Sequence, residues 1–95
     1  MLEKKIVANI IKYLKSLDHC YCFKEHGGQY GSAGIPDIIC CYQRRFYGFE
    51  VKNPKGKPTE LQTAVIKKIN GAQGTVGIVR SVDDEKELLR IGGSV

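Results

Sequence analysis

Long apolar runs are missing from this sequence. Nowhere do hydrophobic residues approach the ~18 to 20 in succession that a bilayer-crossing helix takes, so no membrane partner is expected. The opening MLEKKIVANIIKYLKSL also lacks the marks of a secretory leader, because charges interrupt its apolar positions and no small-residue cleavage site follows. A cytoplasmic setting is the expectation. Zinc-type cysteine pairs are absent too: Cys20, Cys22, Cys40 and Cys41 match no C-x-x-C spacing, and neighbours on a strand, such as Cys40 and Cys41, point to opposite faces. Reduced thiols packed as small core hydrophobes are expected instead. There is no internal repeat and no linker-like segment, so residues 1–95 read as a single domain. Acids are in short supply, with 10 Asp+Glu against 15 Lys+Arg and a formal charge of +5. That balance suits a polyanionic partner without specifying one.

What is present divides into seven elements. Leu2, Ile6, Ile10, Tyr13, Leu14 and Leu17 recur at three- and four-residue steps with lysines on the opposite arc, which predicts an amphipathic first helix ended by Asp18-His19. Cys20 to Lys24 alternates small apolar and aromatic residues as a first strand. Residues 26–35, HGGQYGSAGI, hold four glycines and read as a flexible loop. Pro36 begins a second strand, where its missing N–H is harmless. The polar segment 43–45 turns into a third strand, Phe46 to Lys52. After the loop NPKGKP, Thr59-Glu60-Leu61-Gln62 is a capping-box signature for a second helix that Gly71 stops. Thr75 to Arg80 is a fourth strand, and Ser81 with Asp84 caps a last helix. The order αβββαβα predicts an α/β fold with a small mixed sheet, an antiparallel meander plus one parallel strand, flanked by helices.

The third strand carries the anomaly. Tyr47, Phe49 and Val51 face one way; Gly48, Glu50 and Lys52 face the other. A hairpin through 43–45 brings Asp37 level with residues 50–52. Parity decides whether it arrives on their face: a three-residue turn pairs Asp37 with Val51, whereas a two-residue turn, a four-residue loop or a bulge places it with Glu50 or Lys52. One of the latter is expected. Two carboxylates and an ammonium suit a hard divalent cation, which takes oxygen ligands and keeps several waters. Asp37 and Glu50 would supply side-chain oxygens and Val51 its carbonyl. Lys52 would orient or help deprotonate a water, or offset charge on a phosphate transition state. An exposed, merely solvated sheet face explains Glu50 and Lys52 singly, but not their convergence with Pro36-Asp37 and the loop lysines Lys55 and Lys57.

Gly34-Ile35-Pro36-Asp37-Ile38-Ile39, then Phe49-Glu50-Val51-Lys52, then Gly56-Lys57-Pro58-Thr59-Glu60-Leu61-Gln62 and Gly74-Thr75-Val76 together resemble the PD-(D/E)XK nuclease superfamily. The likeness is greatest to its virus-type replication–repair nuclease (VRR-Nuc) branch in stand-alone, phage-like form, and it covers nearly the whole chain. It implies a restriction-endonuclease-like core and Mg²⁺- or Mn²⁺-dependent hydrolysis of DNA phosphodiester bonds. Asp37 and Glu50 would be metal ligands and Lys52 the catalytic lysine. The implied substrate is branched DNA such as a Holliday junction, cut by a homodimer whose two-fold symmetry matches two strands. The implied setting is the cytoplasm of a bacterial or phage-infected host cell.

The remaining candidates have two readings each. Gln62 either positions water or phosphate, as the family pattern implies, or simply completes the Thr59 cap. Glu3 either adds an acid to the metal site or complements the helix dipole, and Glu25 is its rival. His26 is a possible DNA contact in the glycine loop. Arg44, Arg45, Lys67 and Lys68 are either phosphate contacts or solubilising charge. Tyr30, Tyr42 and the last helix are candidate dimer contacts. The rival functions are a catalytically silent DNA-binding module on the same fold, and a nuclease of flaps or duplex DNA.

Overall fold

In a computed structural model, residues 2–25 and 34–94 are described, and positions 26–33 of the glycine-rich loop, His26 and Tyr30 among them, lie outside these. Seven elements follow one another: α1 Glu3–Lys15, β1 Cys20–Lys24, β2 Ile38–Tyr42, β3 Arg45–Val51, α2 Glu60–Gly71, β4 Thr75–Val79 and α3 Val82–Gly93. The four strands form one sheet in the order β1-β2-β3-β4. The first three run antiparallel and β4 joins β3 in parallel. This is the mixed αβββαβα architecture expected from the periodicities.

One face of the sheet carries the core. Ile6, Val7, Ile10 and Leu14 of α1 meet Cys22, Ile38, Cys40, Tyr47, Phe49, Val51 and Val79 of the strands, with Leu89 of α3 closing the cluster. Tyr47 shows how tightly α3 is drawn in, since its hydroxyl donates to the Leu89 carbonyl at 3.3 Å. The helix α2 occupies the opposite face. None of its residues is fully buried, and Asn70 ties it to the β4 edge by accepting from Val76 N at 2.8 Å and donating to Val76 O at 3.0 Å. Those two bonds satisfy a backbone pair that the sheet leaves open at its edge.

The hairpin between β2 and β3 has a two-residue turn. Tyr42 pairs with Arg45 and Ile38 with Phe49, so Gln43 and Arg44 alone make the connection, with φ of 50° and 70°. Positive φ at both central residues is the hairpin turn whose twist matches the strands. The expected segment 43–45 is thus shorter by one residue, because Arg45 joins the ladder.

Two expectations are corrected. Gly71 does not stop α2: it is the last helical residue, and the left-handed position falls to Gln73 at φ 73°. Gln73 N donates to Asn70 O and Gly74 N to Ile69 O, both at 3.0 Å, which is the two-bond pattern that closes a helix over a left-handed residue. The cysteines are not uniformly core either. Cys22 and Cys40 are buried, but Cys41 is exposed on the other face; all four are free thiols, and the sulfurs of Cys20 and Cys40 lie 3.5 Å apart.

Candidate metal centre

Glu50 sits in β3, flanked by strands on both sides, and is only 1% exposed. Its neighbour across the hairpin follows from the register. Ile38 opposes Phe49, so one step further Asp37 opposes Glu50 on the same face. The turn therefore resolves the parity question in the direction that brings the two acids together. Packing reinforces it at Gly48, where a side chain would stand 3.0 Å from Pro36 Cγ and 3.0 Å from Val76 Cγ2. Only a glycine lets the Pro36-Asp37 segment lie this close against β3.

The hydrogen bonds orient each carboxylate differently. Val51 N donates to Asp37 Oδ2 at 2.8 Å, which ties Val51 to the site through its N–H. Gln62 Nε2 donates to Glu50 Oε1 at 3.0 Å. The orientation of that amide is fixed from behind, because Thr59 N donates to Gln62 Oε1 at 2.9 Å and Gln62 N donates to Thr59 Oγ1 at 3.1 Å. A backbone N–H can only donate, so the amide oxygen must face it and the NH₂ must face Glu50. The capping box is present, and it also aims the Gln62 amide at the acid.

As a carboxylate oxygen, Glu50 Oε2 is left buried with no hydrogen-bond donor among the described residues; only the protonated group gains a partner, by donating to Asp37. An orphaned carboxylate oxygen in the interior is costly, and the group responds by holding its proton. Burial, reinforced by the hydrogen bond and the charge of Asp37, pushes the Glu50 carboxyl up to about 8; Lys52 opposes the shift and Glu3 adds slightly to it. Lys52 and Glu3 therefore lie within electrostatic reach of the pair. No group of three His, Cys, Asp or Glu side chains is gathered as a ready metal cage among the described residues. Asp37 and Glu50 accordingly make a pair rather than a triad. Glu25 borders Asp37 through its backbone, with Glu25 N donating to Asp37 O at 2.8 Å.

A divalent cation fits this donor set. Both groups offer hard oxygen, the unpartnered Glu50 Oε2 points to a missing electropositive partner, and a pair of carboxylates leaves coordination positions for water and substrate oxygens.

The basic lip beside the pair is held by a residue the motifs did not single out. Arg80, just after β4, donates from Nη1 to Asn53 O at 2.8 Å and to Gly56 O at 2.7 Å. Asn53 Oδ1 in turn accepts from Lys55 N at 3.0 Å. The Asn-Pro-Lys-Gly composition of this turn was legible, but the parallel pairing that delivers Arg80 to it was not. Lys55 and Lys57 are exposed there, as are Arg44 at the hairpin tip and Lys67 and Lys68 on α2. Arg45 is committed elsewhere, donating to Gly92 O at 2.7 Å. Tyr42 is half-buried against the core, 6.3 Å from Tyr47 between ring centroids. His19 is exposed in the left-handed turn before β1.

No protein-family model matches the sequence, and no curated protein does. A solved structure described as a VRR_NUC domain is similar, with a TM-score of 0.76 at 20% sequence identity, over 93% of this chain and 94% of that one. The fold expected from the resemblance is therefore the fold observed: this chain has the architecture of a VRR_NUC domain.

Proposed function

We propose that this protein is a Mg²⁺- or Mn²⁺-dependent endonuclease that hydrolyses DNA phosphodiester bonds, selectively on branched DNA such as a Holliday junction, and acts as a homodimer. The observation that carries the reading is the buried, unpartnered Glu50 Oε2 beside Asp37, on a carboxylate whose other oxygen is already held by Gln62. The likeness to a VRR_NUC domain supports it at the level of fold.

Asp37 and Glu50 hold the cation, with the Val51 carbonyl as a further oxygen and Glu3 contributing negative charge nearby. The ion, when bound, supplies Lewis acidity that makes water more acidic and offsets charge on the phosphate. Gln62 restricts Glu50 to one rotamer, so its free oxygen is already oriented before substrate arrives. Lys52 places an ammonium next to the pair, where it orients the attacking water and stabilises negative charge building on the phosphoryl oxygens. The lip held by Arg80 presents Lys55 and Lys57 to the DNA backbone. A cytoplasmic setting in a bacterial or phage-infected host cell fits this activity. No helix among the described residues is long and apolar enough to cross a membrane.

The test is cleavage of labelled four-way junction, flap and linear duplex with Mg²⁺ or Mn²⁺, comparing wild type with Glu50→Gln. Junction cutting by wild type, lost in the variant and in EDTA, is expected. Equal or absent cutting in both refutes the enzyme, and junction binding without cutting leaves a DNA-binding module in its place. Preferential cutting of flaps or duplex corrects the substrate and keeps the chemistry.

A further inference from the structure

Over β1 and β2, the sheet face opposite the core is not covered by a helix among the described residues. That face is organised in rows. Tyr21, Cys41 and Phe46 stand opposite one another across three strands, and Phe23, Ile39 and Gly48 form the next row. One row further along the same face come Asp37 and Glu50. Successive rows on one face of a sheet are about 7 Å apart, so the aromatic surface begins one row from the acid pair.

The rings are open to solvent. Tyr21 is 71% exposed, Phe23 43% and Phe46 40%, and the Tyr21 and Phe23 rings lie 6.2 Å apart between centroids, tilted by 51°. Aromatic rings grouped on one sheet face, rather than scattered singly, are the kind of exposed apolar surface that marks an interaction site.

Resting on the nuclease reading above, we infer that this face is a stacking platform for unpaired nucleotides of the DNA substrate, adjoining the bond to be cut. Three features favour nucleobases as the occupant. Among the described residues the face leads toward the acid pair with Pro36 packed over Gly48 between them, so a strand whose phosphate reaches Asp37 and Glu50 carries its neighbouring bases past Pro36 to Phe23 and Tyr21. Its apolar character comes mainly from π surfaces, which accept any base and need no sequence code. Its border is cationic: Lys68 lines the same recess as Phe46, a hollow of about 330 Å³, and Arg44 stands at the hairpin tip, on a chain with a net charge of +5. Duplex arms would leave these rings uncovered, because paired bases keep their faces stacked within the helix. Among branched substrates the platform thus favours those whose nucleotides next to the cut are unpaired, as in a flap or at a junction whose central pairs open.

The test is equilibrium binding in EDTA, where no cleavage occurs, to a duplex with a single-stranded tail carrying the fluorescent base 2-aminopurine, and to a blunt duplex. Wild type quenches the tail probe as the base stacks. Tyr21→Ala and Phe23→Ala each weaken tail binding roughly tenfold and remove the quench, while blunt-duplex binding is unchanged. Tyr21→Leu and Phe23→Leu keep apolar area without a π face and still lose the quench. No quench with wild type, or unchanged tail affinity in the alanine variants, overturns the inference. Sedimentation supplies a further outcome: a wild-type dimer that Tyr21→Ala/Phe23→Ala converts to monomer, with tail binding intact, assigns the face to a second copy of the chain. The cleavage assay is read separately, so a wild type that never cuts but still stacks the probe rejects the nuclease and leaves the platform standing.

Discussion

Two buried glutamates respond to their surroundings in the same direction, both chiefly through burial. Glu50 is pushed up to about 8 by burial and by Asp37. Glu85, in the first turn of α3, is pushed up to about 7 by burial, opposed by Lys86, and neither of its oxygens has a partner among the described residues. A carboxyl whose folded pKa is raised above the ordinary 4.5 favours the fold while protonated. Its contribution is complete below about pH 4.5 and is lost as pH rises through the folded value. The metal-free protein is therefore predicted to melt at lower temperature at pH 8 than at pH 5. Calorimetric scans across that range check this, and Glu50→Gln is expected to flatten the upper part of the profile. Glu85 has no part in the site, so Glu85→Leu should stabilise by about 1 to 3 kcal/mol at pH 8, the usual cost of an unsatisfied buried polar group. Denaturant titration measures it, and a destabilised variant would mean that Glu85 has a partner in solution. Gln62→Ala removes both the aim of Glu50 and one side of the capping box. Its stability loss of about 1 kcal/mol should come with a larger loss of divalent-ion affinity, which separates the positioning role from the cap.

At the scale of elements, helix ends carry the clearest opportunities. A Cβ on Gly71 would meet nothing within 4 Å, and the residue is helical, so Gly71→Ala should stabilise by about 0.8 to 1 kcal/mol through helix propensity alone. A thermal melt decides it, and destabilisation would restore Gly71 as the stop. The Thr59 and Ser81 caps were legible because a hydroxyl three residues before a suitable side chain satisfies backbone donors locally, and both are present. The end of α2 was not legible: glycine signalled a stop, but closure depends on where Ile69 and Asn70 carbonyls find donors, and that fell two residues later at Gln73. The hairpin turn was legible only as a choice between parities. Its two left-handed residues are a glutamine and an arginine, neither of which announces that conformation.

Across the whole molecule, ion binding and folding are linked. A divalent ion that binds only the folded pair stabilises by about 1.4 kcal/mol at tenfold excess over Kd, which for a domain of this size is roughly 5 to 10 °C in Tm. Mg²⁺ or Mn²⁺ should raise the Tm of wild type at pH 8 and leave Glu50→Gln unmoved. An equal shift in both proteins would place the ion elsewhere. On the function proposed above, the orphaned Glu50 oxygen destabilises the empty fold and would be satisfied by the bound cation.

The sequence by itself determined the order of elements and the identity of the acids. Hydrophobic period and capping chemistry are local, and an acid-x-lysine in an apolar strand stands out wherever it lies. Tertiary structure alone decided three further matters. The two-residue turn put Asp37 opposite Glu50, because a slip of one residue would have turned it to the other face. Parallel pairing with β4 carried Arg80 to the loop at Asn53 and Gly56, across 24 to 27 residues of chain. The placement of α1 and α3 on one face and α2 over one side of the other left Tyr21, Phe23 and Phe46 exposed. Strand alternation states which residues share a face, but only the packing of distant elements states which face is covered.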